Sequence, residues 1–211
     1  MLSLLALLAA CGLGPPRWSD SHSPEEPPLR VLPVGDSYTT GYGSVGGWRP
    51  FVRGVDFVGP FCDEVLADCE HAGVSGRRVE QMVADASGWV DAYAPDVVVL
   101  WGGYNDVNAT SASAPEAARR MSLLVEAVSA APRVVVVTTY RTRDRHRDTL
   151  DAYDAILRER APAWGVEIAD VRAATSDDAV WIEVTDSVHP THRGYAEAGR
   201  VIDATIHGGT L

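Results

Sequence analysis

Ser37, in Gly35-Asp36-Ser37-Tyr38-Thr39, follows a short apolar run (Leu29 to Val34), where a strand would hand over to a loop. Near the other end of the chain, Asp186-Ser187-Val188-His189-Pro190 sets an aspartate and a histidine three residues apart, close enough to be presented from one turn. A nucleophile, a general base and a carboxylate to orient the base are the minimum kit for acyl transfer through a covalent intermediate. Between them lie Gly76, in Gly73-Val74-Ser75-Gly76, and Asn105, in Gly103-Tyr104-Asn105-Asp106. A backbone N–H and a side-chain amide are what a developing oxyanion requires. Each block alone has an ordinary explanation. Gly-Asp-Ser is a common turn, and His189-Pro190 could be a helix corner beside a turn-forming Asp186. Gly103 could allow close backbone approach, and Asn105-Asp106 could be a cap or turn, with Asp106 structural. His192 is a rival base, but its spacing from Asp186 suits an exposed first-turn histidine better. The four blocks in this order are far more specific than any one of them.

Taken together, Gly35-Asp36-Ser37, Gly76, Gly103-x-Asn105-Asp106 and Asp186-x-x-His189 resemble the four sequence blocks of the SGNH (GDSL-type) hydrolases. The resemblance runs from about Arg30 to Ile206. It implies Ser37 as nucleophile, His189 as base and Asp186 as orienting carboxylate. The Ser37 N–H, the Gly76 N–H and the Asn105 amide would form the oxyanion hole. Within that family, Asp56-Phe57-Val58-Gly59, Glu70-His71-Ala72-Gly73-Val74-Ser75-Gly76 and Trp48-Arg49 are similar to carbohydrate esterase family three, the acetyl xylan esterases. The match is partial at Ala72 and Val74. The implied reaction is release of acetate from acetylated sugars, without a metal or organic cofactor.

The elements that must position these residues are legible as alternating patterns. Leu29–Val34, Val55–Val58, Asp96–Trp101, Arg133–Thr139 and Val166–Val171 read as strands, the third and fourth as near-continuous β-branched runs of the kind covered on both faces. Arg77–Ala86, Pro115–Ala130, Thr149–Arg160 and Thr191–Ile206 carry helix spacing, with Pro115 suited to a first turn. Alternation of this kind predicts an α/β, three-layer doubly wound sandwich around a mostly parallel sheet of about five strands, flavodoxin-like in layout. Ligands bind such sheets at the carboxyl ends of the strands. Ser37, Gly76 and Asn105 follow the first three strands in turn, so they converge on one edge.

With 211 residues, 46% of them hydrophobic, the chain can bury one sizeable core. A formal net charge of −11 disfavours nucleic-acid or anionic-membrane partners. All 18 basic residues are arginine. Four of them fall in Arg141-Thr142-Arg143-Asp144-Arg145-His146-Arg147, which reads as a solvated loop, with a second reading as a contact for an acidic or hydroxyl-rich substrate. Met1–Cys11 is an apolar run too short to span a membrane and reads as a signal segment. Its Leu8-Ala9-Ala10-Cys11 ending resembles a bacterial lipobox, which would lipidate Cys11, although no basic residue precedes the run. Gly12–Pro28 has the composition of a flexible tether, which leaves residues 29–211 as the hydrolase domain. These features imply an exported protein, either a cell-envelope lipoprotein or secreted. In that setting Cys62 and Cys69 read as a disulfide rather than a metal site, since no further Cys or His cluster completes four ligands. His71 reads as a polar loop residue. The expected partner is a small-molecule or carbohydrate ester. The alternatives are a general carboxylesterase or lysophospholipase-type lipid esterase, and a non-catalytic glycan-binding relative.

Overall fold

Residues 27–44, 47–58, 72–175, 181–182 and 186–209 are described by a computed structural model. The signal segment with Cys11, nearly all of the tether, and Cys62, Cys69 and His71 lie outside the described residues.

Five strands, β1 (Leu29–Gly35), β2 (Val55–Phe57), β3 (Val97–Trp101), β4 (Arg133–Val137) and β5 (Glu167–Ala169), form one sheet. Their spatial order is β2-β1-β3-β4-β5 and every pairing is parallel. All of β3 is buried, as are the last five residues of β1 and the last four of β4. This explains their unbroken apolar runs, because a strand covered on both faces has no polar side to alternate with. Helices α2 (Val79–Tyr93), α4 (Ala114–Ala127) and α5 (Arg147–Trp164) pack side by side in one layer. The C-terminal helix α7 (His192–His207) packs with a 3₁₀ turn (Arg49–Phe51), with the short α6 (Val171–Ala174), and on β4 and β5. The doubly wound α/β fold expected from the alternation is the fold observed. No described helix is long and apolar enough to cross a membrane.

All five expected strands are present, with ends shifted by a few residues. β4 ends at Val137: the Thr138 N–H still donates to the Ala169 carbonyl, but the Thr139 N–H turns to Asp154 Oδ1. The helix expected at Arg77–Ala86 continues through Gly88 to Tyr93, since Trp89 and Val90 keep its apolar face against the core. Two helices flank the strand ends where the sequence suggests a turn at Ser37 and a cap or turn at Asn105-Asp106, namely α1 (Ser37–Thr40) and α3 (Tyr104–Thr110).

Candidate active site

Doubly wound sheets place their ligand crevice where the strand order reverses. Here the chain leaves β1 for β2 on one side and returns to β3 on the other, so the crevice opens beyond β1 and β3. α1 and α3 start there. A Cβ on Gly35 would lie 2.2 Å from the Trp101 carbonyl oxygen and 2.1 Å from Thr39 Oγ1, so only glycine lets the end of β1 close against β3. Asp36 then turns the chain: Oδ1 accepts from the Tyr38 N–H at 3.0 Å, and its carbonyl oxygen accepts from Thr39 and Thr40. Ser37 is left as the first residue of α1, largely buried.

The opposite wall is the Asp186–Pro190 turn. Asp186 Oδ1 accepts from the backbone N–H of Val188 and of His189, both at 2.9 Å, with Ser187 in the left-handed region at φ 64°. The same carboxylate turns Oδ2 to His189 Nδ1 at 2.8 Å, and His189 Nε2 lies 2.8 Å from Ser37 Oγ. A carboxylate only accepts, so Nδ1 carries the proton and Nε2 offers its lone pair to the serine hydroxyl. Partial burial raises the Asp186 pKa, but the two backbone N–H groups and His189 outweigh it, and the net shift is downward. Asp186 is therefore ionised at neutral pH. Tyr42 lies tilted by 35° against the imidazole at 4.3 Å between centroids, and Tyr38 meets it edge-on at 6.0 Å. Packing and hydrogen bonds thus both fix the ring.

Gly76 is carried to the crevice by a bridge outside the regular sheet. The Gly35 N–H donates to the Ala72 carbonyl at 2.6 Å and the Val74 N–H to the Gly35 carbonyl at 3.0 Å, which pairs Gly73 with Gly35. Asn105 stands in the first turn of α3. That turn starts at Gly103, where φ is 112° and a Cβ would fall 2.6 Å from the Tyr153 ring. The Asn105 amide nitrogen donates to Asp36 Oδ2 and to the Arg77 carbonyl, both at 3.1 Å. The Arg77 carbonyl can only accept, so it fixes which end of the amide is nitrogen. Asp36, which the sequence marked only as part of a turn, is fully buried. Burial pushes its carboxyl up to about 7, against the lowering effect of its hydrogen bonds, with nearby Asp106 adding to the rise.

Other residues weighed from the sequence fall elsewhere. His192 Nδ1 is 3.3 Å from Ser44 Oγ and its ring meets Phe51, so it does not reach Ser37 as a base. Asp106 is structural: Oδ2 receives the Val79 N–H at the start of α2, and Oδ1 receives Arg120. Among the described residues no group of acidic, histidine or cysteine side chains is arranged to hold a metal. An open cleft of about 370 Å³ between α4 and α5, lined by Ala118, Ile156 and Trp164 among others, contains none of the candidate residues. Sequence spacing gave no sign of the Gly35–Gly73 bridge, the Asp36–Asn105 contact or the Tyr42 ring against His189. All three join segments distant in the chain or depend on side-chain direction.

The arrangement of hydroxyl, imidazole and carboxylate can deprotonate a serine as it attacks a carbonyl carbon. Similar solved structures include a carbohydrate esterase family 3 protein from Talaromyces cellulolyticus, at 25% identity over 85% of this chain and 97% of that one, with a TM-score of 0.67. A family 3 carbohydrate esterase from Clostridium thermocellum shares 23% identity over 85% and 96% of the two chains, with a TM-score of 0.68. A catalytic mutant of an acetylxylan esterase from Geobacillus stearothermophilus shares 21% identity over 84% and 94%, with a TM-score of 0.66. No curated protein matches the chain in sequence. Residues 34–197 match the GDSL-like Lipase/Acylhydrolase family. The chain belongs to that family and is a carboxylic ester hydrolase.

Proposed function

We propose that the protein hydrolyses O-acetyl esters of carbohydrates, with Ser37 as nucleophile, His189 as general base and then general acid, and Asp186 as the carboxylate that orients the imidazole. The observation that carries this reading is the continuous chain from Asp186 Oδ2 to His189 Nδ1 and from Nε2 to Ser37 Oγ, with both contacts 2.8 Å long. In acylation, Ser37 Oγ bonds to the ester carbonyl carbon as its proton passes to Nε2. The tetrahedral intermediate collapses, the sugar oxygen leaves with that proton, and acetyl stays on Ser37. A water molecule, deprotonated by His189, then releases acetate. The oxyanion would be met by the Ser37 N–H, which has no protein acceptor among the described residues, by the Gly76 N–H and by the Asn105 amide, one of whose two N–H groups would exchange its present acceptor for the oxyanion.

The restriction to a short acyl group draws support from the packing behind Ser37. Tyr38, Trp101 and Tyr140 are buried there with ring centroids 5.5 to 5.6 Å apart, which fills the core side of the crevice. A long acyl chain gains about 0.8 kcal/mol per methylene only if it has an apolar channel to enter. The structural relatives, carbohydrate esterases and an acetylxylan esterase, agree with a sugar as the alcohol. We also propose that residues 1–11 direct export and that Cys11 carries lipid, with the Pro-rich stretch as spacer. Mass spectrometry of the mature N-terminus tests that proposal: cleavage other than before Cys11 removes it.

The catalytic reading is tested with Ser37→Ala. Ester hydrolysis should fall by several orders of magnitude while the melting curve stays that of the parent, leaving only what binding and the oxyanion donors supply. Near-parental turnover by a folded Ser37→Ala protein would remove Ser37 from the chemistry.

A further inference from the structure

The loop between β4 and α5 carries Arg141, Arg143, Arg145 and Arg147 in a protein whose net charge is −11. Its backbone is tied to both walls of the candidate site. The Arg143 N–H donates to the Ser187 carbonyl at 2.8 Å, inside the turn that holds Asp186 and His189. On the other side, His146 Nε2 meets Asn108 Oδ1 at 3.1 Å, and Tyr104 Oη donates to Asp144 Oδ2 at 2.7 Å, both on the helix that carries Asn105. The loop therefore crosses the rim of the crevice between the base and the amide.

Elsewhere in the molecule the pattern is pairing, as Arg120, Arg133, Arg158 and Arg172 each meet a carboxylate. Arg141, Arg143 and Arg145 meet no carboxylate among the described residues, although Arg145 Nε lies 3.2 Å from His146 Nε2. Asp144, the acid within the run, is engaged by Thr142 Oγ1 and the His146 N–H at Oδ1 and by Tyr104 at Oδ2. Arg143 and Arg145 are exposed and within reach of a solute, whereas Arg141 is half-buried with its Nε enclosed.

We propose that this loop is an anion-binding rim, in which Arg143 and Arg145 receive the carboxylate of an acidic sugar whose acetyl ester lies at Ser37. The inference rests on the carbohydrate-esterase reading and narrows it from sugars in general to uronic-acid units. Guanidinium groups suit the task because their planar N–H forks match a carboxylate in two parallel hydrogen bonds. In an otherwise acidic protein, a local cationic rim also draws the anionic substrate toward the nucleophile.

The test uses a matched pair of substrates, mono-acetylated methyl glucopyranoside and its glucuronate counterpart, which differ only in the C6 carboxylate. The wild-type chain should release acetate from the glucuronate with the higher kcat/KM. In an Arg143→Gln/Arg145→Gln variant the ratio of the two kcat/KM values should fall by about 10-fold or more, chiefly through KM. Arg119→Gln/Arg200→Gln makes the same change in net charge on exposed helix faces away from the crevice and should leave the ratio as it was. Equal or better use of the neutral sugar by the wild type overturns the rim while leaving the esterase reading intact. So does an equal fall in the ratio in both double variants. If the wild type hydrolyses neither sugar ester, the carbohydrate reading fails, and the rim is decided by binding. Ser37→Ala protein is then titrated with methyl glucuronoside and methyl glucoside. Preference for the glucuronoside that disappears with Arg143→Gln/Arg145→Gln supports the rim, and equal affinity for the two overturns it.

Discussion

At the scale of single residues, Asn105 and Asp36 are joined by a hydrogen bond of 3.1 Å. Asn105→Ala should lower kcat by roughly 10² to 10³ with little change in KM if its amide meets charge that develops only in the transition state. Steady-state kinetics on an acetyl ester separates this from a binding role, which would appear in KM alone. Asp36 gives a prediction on stability. Its folded pKa of about 7 lies above the unfolded value near 3.8, so the folded protein holds the extra proton between those pH values. The stabilisation from that carboxyl is complete below about pH 4, declines as pH rises towards 7 and is then gone. Asp36→Asn removes this dependence. Relative to the parent, the variant should gain stability between pH 4 and pH 8, by at most roughly 4 kcal/mol for a three-unit shift. Urea denaturation of both proteins at the two pH values checks it, and parallel pH curves would show that Asp36 ionises normally. Ser37, Asp186 and His189 were readable in the sequence because their chemistry and order are distinctive. The Asp36 environment was not, because burial is a property of everything packed around it.

At the scale of elements, two contacts hold the crevice edge of the sheet. Gly35→Ala sets a Cβ against the backbone carbonyl of Trp101, which cannot move without disturbing β3. The variant should lose about 1–3 kcal/mol or more of stability in chemical denaturation, and activity with it, because Ser37 follows two residues later. The second contact is the buried network around Arg172, which donates to Thr139 Oγ1 at 3.2 Å and to the Tyr140 carbonyl at 2.6 Å, and lies 3.4 Å from Asp154. It links the end of β4 to α5 and α6. Arg172→Met leaves Asp154 buried without its cation and should cost about 3–5 kcal/mol. Replacing Asp154 by leucine as well should restore much of that loss, since the uncompensated charge is then gone. Failure of the second substitution to recover stability in the same denaturation assay would place the loss in the hydrogen bonds of Arg172 instead. Strand positions were legible from apolar runs, whereas α1 and α3 were not. They span only four and seven residues and are fixed by strand-end contacts rather than by their own periodicity.

At the scale of the whole molecule, a sheet covered on both faces and a crevice backed by aromatic rings make a site open to solvent on one side only. Among p-nitrophenyl esters, kcat/KM should therefore fall from acetyl to octanoyl. A rising series would instead show an apolar channel that accepts the chain, and would favour a lipid ester as substrate. The net charge acts at the same scale, since a chain of net charge −11 carries four arginines within residues 141–147, beside the turn that holds His189.

The sequence by itself determined the strand and helix alternation, hence the doubly wound fold, and the identity of the four blocks on one edge of the sheet. These follow from periodicity and residue chemistry, which are local properties of the chain. Tertiary structure alone decided which of those residues touch. The Gly35–Gly73 bridge brings in Gly76, and the Asn105 amide is held by Asp36 and the Arg77 carbonyl. The arginine loop, which reads as a solvated run in sequence, is pinned across the site by Ser187 and Asn108. Each of these depends on contacts between segments separated by tens of residues, and such distances in space are set by the packing of the layers, not by spacing along the chain.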